Sequence, residues 1–189
     1  MRHGASTTPA GLTVGAGDPP LSEAGRAEAE RLARTLDARP LVAVWSSDLR
    51  RAVATATIIA APHGLAVATT RALRELDFGA WEGRALGELW REDPDAARAW
   101  EADITATPGT FGESVRDLVD RVAGFWRRVE LSGETVVVAH RGSLAALQAA
   151  ITDEPFASAF RFPSAWVVAR ATHRRPGRSA SRSPRRREA

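Results

Sequence analysis

The alternation of helix-like and strand-like segments over residues 1–170 predicts an α/β fold, a three-layer α/β/α sandwich whose mainly parallel central sheet is covered by helices on both faces. Three features carry that expectation. Short apolar runs of strand length recur between amphipathic stretches. One of them, Val136-Val137-Val138, is apolar at consecutive positions, as a strand buried on both faces is. Two histidine-bearing turns, Arg2-His3-Gly4 and His140-Arg141-Gly142, stand where a chain leaves a strand.

The elements follow in order. Residues 21–36 read as an amphipathic helix, with Ser22 as cap, an acidic first turn, and Ala29, Leu32, Ala33 and Leu36 on one face. Residues 41–45 form a short apolar strand. Residues 49–61 form an alanine-rich helix that Pro62 and Gly64 stop, and residues 65–69 form a second strand. Shorter helical pieces are expected at 86–90 and 96–100. Residues 113–129 form a long helix with Val115, Leu118, Val119, Val122, Phe125 and Trp126 on one face. The Val run gives a fully buried strand at 135–139, followed by a helix at 143–151 and a last strand at 165–169. No repeat is apparent.

Length and composition set the bounds. A chain of 189 residues with 44% hydrophobic content is of single-domain size with a substantial core. No apolar run is long enough to span a bilayer and no charged-then-apolar leader is seen, so a cytoplasmic protein without a membrane partner is expected. With no cysteine there is no disulfide, thiolate nucleophile or thiolate metal site. The net charge of +3 is unevenly spread: residues 172–189 hold seven arginines against one glutamate, a net of +6, so residues 1–171 carry −3. The expected organisation is therefore one domain at 1–171 and a disordered Arg/Ser/Pro-rich basic tail at 172–189. Any contact with nucleic acid is confined to that tail, which reads better as a solvated extension.

An Arg-His-Gly tripeptide alone is an ordinary polar turn, but two such turns together are informative. Imidazole can accept a phosphoryl group as a nucleophile, and arginine neutralises phosphoryl oxygens with a planar fork of donors. In open α/β sheets ligands bind beyond the carboxyl ends of strands, and His140, Arg50 and Arg51 all follow such ends. Glu75 comes from the loop after the 65–69 strand.

With these segments in hand, the chain resembles the histidine phosphatase superfamily, also called the phosphoglycerate-mutase-like family, from residue 2 to about residue 170. The matching pieces are RHG at 2–4, DPPLSEAG at 18–25, SSDLRRAVATA at 46–56, LRELDFGAWEG at 73–83, FGES at 111–114 and VVVAHRG at 136–142. The resemblance implies an α/β sandwich and a reaction without metal or other cofactor. It implies that His3 is the nucleophile, Arg2 a phosphate-binding neighbour, Arg51 the pocket arginine with Arg50 in a variable slot, His140 the second pocket histidine and Glu75 the proton donor and acceptor. Donors aimed at developing phosphoryl charge are worth roughly 3–4 kcal/mol each by analogy with oxyanion holes. Asp77 and Glu82 are alternative proton carriers. The tryptophans read as core or surface anchors, His63 as a surface residue at a helix end, and His173 as part of the tail.

The departures also carry expectations. Relatives have an apolar strand immediately before RHG and here only Met1 precedes it, so the first strand is expected to be missing, His3 to sit on a fraying terminus, and the start codon to be misassigned. Pro9 stands where many relatives have asparagine, Ala54 where glutamine or glutamate is common, and Arg141 where a small residue is common; Arg141 is a candidate for binding substrate. The glycine-containing segment at 11–21 and the stretch at 100–114 are similar to those of α-ribazole phosphatases. The expected activity is therefore a phosphomonoesterase acting on a small-molecule phosphate ester, foremost α-ribazole 5'-phosphate of cobalamin biosynthesis. Alternatives are a phosphoglycerate mutase, a broad-specificity phosphatase or, in another class, a phosphate-binding interaction module without turnover. The oligomeric state is left open.

Overall fold

The computed structural model describes residues 1–103, 105–131 and 133–161. The expected strand at 165–169 and the tail at 172–189 lie outside the described residues. The central strand, β1 (Leu41–Ser47), pairs in parallel with β2 (Val67–Thr70) on one side and with β3 (Glu134–Val138) on the other, giving the order β2-β1-β3.

Period-2 alternation sends neighbouring strand residues into opposite layers. Val44, Val136 and Val138 join a core with Leu36 and Ile59, contributed by α1 (Glu23–Leu36) and α2 (Arg50–Ala60). Trp45 and Val137 face the other core, with Leu118, Val122 and Phe125 of α5 (Val115–Arg128) and Leu144 and Leu147 of α6 (Arg141–Thr152). The three layers follow from this division. Two short helices, α3 (Leu86–Glu92) and α4 (Pro94–Ala102), close a satellite cluster around Trp81 and Leu89, and α7 (Phe156–Arg161), unforeseen from sequence, packs on α6.

Helix starts agree with their caps. Ser22 Oγ accepts the Gly25 amide of α1, Asp93 accepts the Ala96 amide of α4 next to Pro94, and Ser114 and Asp117 form a reciprocal capping box on α5. The chain leaves β1 two residues later than the apolar run suggests, because Ser46 and Ser47 continue the ladder against Thr69 and Thr70.

The first three residues are pinned rather than frayed. Ala139 N–H donates to the Met1 carbonyl and His3 N–H donates to the Ala139 carbonyl, both at 3.0 Å, on the edge of β3 away from β1. The Met1 ammonium donates to the Val137 carbonyl at 2.5 Å, and burial pushes its pKa down to about 5. One correction concerns β3. Its Val run is not fully buried: Val136 and Val137 are half-buried and Val138 alone of the three is buried. Among the described residues this outer edge is met only near its carboxyl end, by residues 1–3, so the strand before Val137 has no strand beside it on that side.

Candidate active site

His3 leaves its short pairing with Ala139 and turns at once. The turn is close to α1, since a Cβ at Gly4 would lie 2.3 Å from the Gly25 carbonyl oxygen and one at Gly25 would lie 2.0 Å from that of Ala5. Two glycines thus let α1 press against the histidine loop. The Gly4 amide donates to Thr55 Oγ1 at 3.1 Å, and that hydroxyl donates to the Arg51 carbonyl. The His3 ring holds its Nδ1 2.6 Å from the Gly4 carbonyl oxygen. A carbonyl can only accept, so Nδ1 carries the proton and the Nε2 lone pair faces the site.

Arg51 reaches that lone pair from the first turn of α2, with Nε 3.3 Å from His3 Nε2. It is 1% exposed; one N–H of each terminal nitrogen goes to a carbonyl, that of Gly17 at 2.7 Å and that of Gly15 at 3.1 Å, and the second N–H of each is left for a ligand. Burial lowers its pKa, and the charges of Asp18, Glu75 and Glu82 oppose that shift. The loop that supplies those carbonyls is tied down by Glu82, whose carboxylate accepts the amides of Gly15, Ala16, Gly17 and Phe78. Gly15 has no room for a side chain, because a Cβ there would lie 1.6 Å from the Leu76 carbonyl oxygen.

His140 caps the other side at the start of α6. Its ring centroid is 4.9 Å from that of His3, it is 1% exposed, and neither ring nitrogen has a hydrogen-bond partner among the described residues. Burial, then the charges of His3, Arg51 and Arg2, push its pKa well below the ordinary histidine value. The same burial brings His3 down to about 4 against the opposing bond to Gly4, with Arg51 and Arg2 adding to the depression. Both rings are therefore neutral at physiological pH.

Glu75 lies across α6's first turn. The Gly142 amide donates to both carboxylate oxygens at 3.0 Å, and the Leu76 amide donates to Oε1 at 2.9 Å. Two ion pairs hold the loop that carries Glu75. Arg74 grips Asp48 with two bonds of 2.7 Å, an interaction that lowers the Asp48 pKa. Arg121 of α5 pairs with Glu113 and donates to the Ala72 and Glu75 carbonyls at 2.8 and 2.9 Å.

The remaining expected residues divide. Arg2 lines the same cavity as His3 and Arg51 while its side chain is exposed. Arg141 is exposed, and its guanidinium lies 4.5 Å from the Phe160 ring centroid, a cation–π contact with α7; like Glu75 and His140, it is not among the residues that line that cavity. Arg50 is exposed as expected. Asp77 caps the Gly79 amide and Glu82 is saturated with amides, so neither is placed as Glu75 is. Of the tryptophans, Trp45, Trp81, Trp100 and Trp126 all pack in core clusters. Arg121, Glu113, Thr55 and the Asp48–Arg74 pair went unread because each acts through backbone groups that only the fold brings near. Among the described residues, no group of three or more His, Cys, Asp or Glu is placed to hold a metal ion, and no helix is long and apolar enough to cross a membrane.

The sequence profile of the histidine phosphatase superfamily (branch 1) matches residues 1–178. The chain belongs to this superfamily. Within it, the chain is 32% identical over 155 residues to phosphoserine phosphatase 1 of Hydrogenobacter thermophilus, covering 80% of this chain and 74% of the relative. It is 35% identical over 170 residues to glucosyl-3-phosphoglycerate phosphatase of Mycobacterium tuberculosis, covering 84% and 76%. Among solved structures it is similar to the mycobacterial glucosyl-3-phosphoglycerate phosphatase with VO3, at TM-score 0.75 and 34% identity over 85% of this chain and 83% of that one. It is also similar to the alpha-ribazole phosphatase of Shigella flexneri, at TM-score 0.74 and 30% identity over 86% and 82%. As a histidine phosphatase it is a phosphoric monoester hydrolase.

Proposed function

We propose that this histidine phosphatase cleaves small phosphate monoesters through a phosphohistidine formed on His3, and that α-ribazole 5'-phosphate is its substrate. The observation that carries the reading is His140: a fully buried imidazole with two unpartnered nitrogens, facing His3 beside the Arg51 guanidinium. Leaving buried polar atoms unmatched is costly, and a phosphoryl oxygen beside the ring would accept from the His140 nitrogen that carries the proton.

In the first step the Nε2 lone pair of neutral His3 attacks phosphorus and the ester P–O bond breaks. Glu75, protonated, gives its proton to the departing oxygen. Arg51, Arg2 and His140 take up the charge that spreads over the three phosphoryl oxygens. In the second step the Glu75 carboxylate takes a proton from water, whose oxygen attacks phosphorus and frees His3. The amides of Gly142 and Leu76 hold the Glu75 carboxylate in position for both transfers.

Two observations support α-ribazole 5'-phosphate among esters. The segment around Gly11, Leu12 and Val14, which resembles that of α-ribazole phosphatases, lines the cavity of about 480 Å3 beyond His3. Relatives named as alpha-ribazole phosphatases share the fold over four-fifths or more of both chains. Rapid quench with labelled substrate is expected to trap a phosphoryl adduct, stable in alkali and labile in acid, that is absent from His3→Ala. An adduct persisting in His3→Ala overturns the assignment, and a higher kcat/KM for 3-phosphoglycerate than for α-ribazole 5'-phosphate overturns the substrate.

A further inference from the structure

The charges around the cavity are lopsided in a way that bears on the leaving group. Three charged side chains line it: Arg2, Arg51 and Glu28. Both arginines stand beside His3, where their charges act on its ring, and so belong to the phosphoryl end. Glu28, projecting from α1, supplies the only other charge of the lining, and it is negative. Its Oε2 accepts the Ala5 amide at 2.9 Å, and it is in no ion pair among the described residues. The other wall groups are neutral, with hydroxyls at Ser6 and Thr8 and apolar surface at Leu12 and Val14.

Three arginines outside the lining are engaged elsewhere. Arg74 is paired with Asp48, Arg121 with Glu113, and Arg141 rests on Phe160. Beyond the phosphoryl end, a leaving group bearing a carboxylate thus meets an acid in no described ion pair and no cation in the lining. One bearing hydroxyls meets a carboxylate oxygen able to accept from them and two side-chain hydroxyls able to donate.

We infer that this cavity selects phosphate esters of uncharged, hydroxyl-bearing alcohols over esters of hydroxy acids, and that Glu28 is the residue that sets the preference. The inference rests on the proposed phosphatase site and adds the chemical class of the alcohol. It separates this chain from relatives whose names specify phosphoserine or glucosyl-3-phosphoglycerate, both of which carry a carboxylate.

The test uses a matched pair, glycerol 3-phosphate and 3-phosphoglycerate, which differ by a hydroxymethyl group against a carboxylate. The ratio of their kcat/KM values is read in the full chain, in Glu28→Gln and in Glu28→Arg. The native enzyme should favour glycerol 3-phosphate by about tenfold or more, as expected for like charges several ångströms apart in a partly screened site. Glu28→Gln should remove most of that preference, and Glu28→Arg should invert it. Because a ratio does not depend on how much enzyme is active, a partly folded variant still reports. A second measurement needs no variant: raising ionic strength should shrink the native ratio. A native preference for 3-phosphoglycerate, or a ratio indifferent to both Glu28 and salt, overturns the inference while leaving the phosphatase reading intact. Absence of turnover and of a phosphohistidine with either ester would instead strike at the site itself.

Discussion

Gly142→Ala should separate catalysis from stability, because the two respond in opposite directions. Gly142 sits in the first turn of α6 with ordinary helical backbone, so alanine there is unstrained. A Cβ at this position would lie 2.4 Å from Glu75 Oε1 and 3.1 Å from Leu118 Cδ2. The carboxylate must retreat by roughly 1 Å to reach ordinary contact, which breaks the two bonds of 3.0 Å from the Gly142 amide. A misplacement of that size typically costs about 10²-fold, and the whole contribution of a general acid–base is about 10²- to 10⁴-fold. We therefore expect kcat to fall by about 10²-fold or more, with a smaller change in affinity for orthovanadate if His3, Arg51 and His140 supply most of its contacts. Stability should change little. Replacing a helical glycine by alanine contributes about 0.5–1 kcal/mol, against a few tenths for the shift of Leu118. The assays are steady-state turnover, vanadate inhibition and urea unfolding. A variant with native turnover would refute Glu75 as the proton carrier, and one destabilised by more than about 2 kcal/mol would refute the packing argument.

Other expectations follow from the same geometry. Glu82→Gln places an NH2 group against the amides of Gly15, Ala16, Gly17 and Phe78, so the loop whose carbonyls hold Arg51 should loosen and phosphate affinity should fall by about tenfold. If Glu82 acts through Arg51, the loss should largely vanish in an Arg51→Lys background, and additive losses in the double variant would argue for a separate effect. Stability should also depend on pH. His3 gains its proton near pH 4 in the folded protein and His140 is likewise depressed, whereas both titrate near 6.5 when unfolded. Between those values the unfolded chain binds more protons, so the melting temperature should fall as pH drops from about 6.5 to 4. A series in His3→Gln and His140→Gln should flatten that slope, and an unchanged slope would assign it to other groups.

The layers were legible in sequence because their signal is local. Apolar periodicity marks α1, α5 and the strands, and Ser22 marks a helix start, whereas the Ser114 cap of α5 lies one residue inside the expected helix. What escaped depended on long-range partners. The burial of Val136 and Val137 is decided by what lies beside β3, not by their own apolarity. The fate of Arg141 is decided by Phe160, on a helix whose six residues are too few to show a period. Nothing local marks Arg121, yet its guanidinium braces the backbone on either side of Leu73-Arg74. Glu82 was considered as a proton carrier because its sequence neighbourhood is right; four amides converging on it give it the role of an anchor.

On the proposed mechanism, the arrangement lets a histidine act as a nucleophile among cations. Two neighbouring arginines and burial all disfavour an imidazolium, so His3 offers its lone pair at any pH where the protein is folded and neutral. An arriving phosphoryl dianion reverses part of that balance, since its charge offsets Arg51 and Arg2 and favours a second proton on His140, while His3 Nε2 faces phosphorus. Proton uptake is thereby linked to phosphate binding: the empty site keeps His3 reactive, and the occupied site gains donors at His140 as charge builds on the oxygens. Phosphate or vanadate binding should accordingly take up protons between pH 5 and 7, measurable as a buffer-dependent enthalpy. A binding enthalpy that is the same in buffers of different ionisation heat would show that the two histidines keep their protonation states when the anion enters.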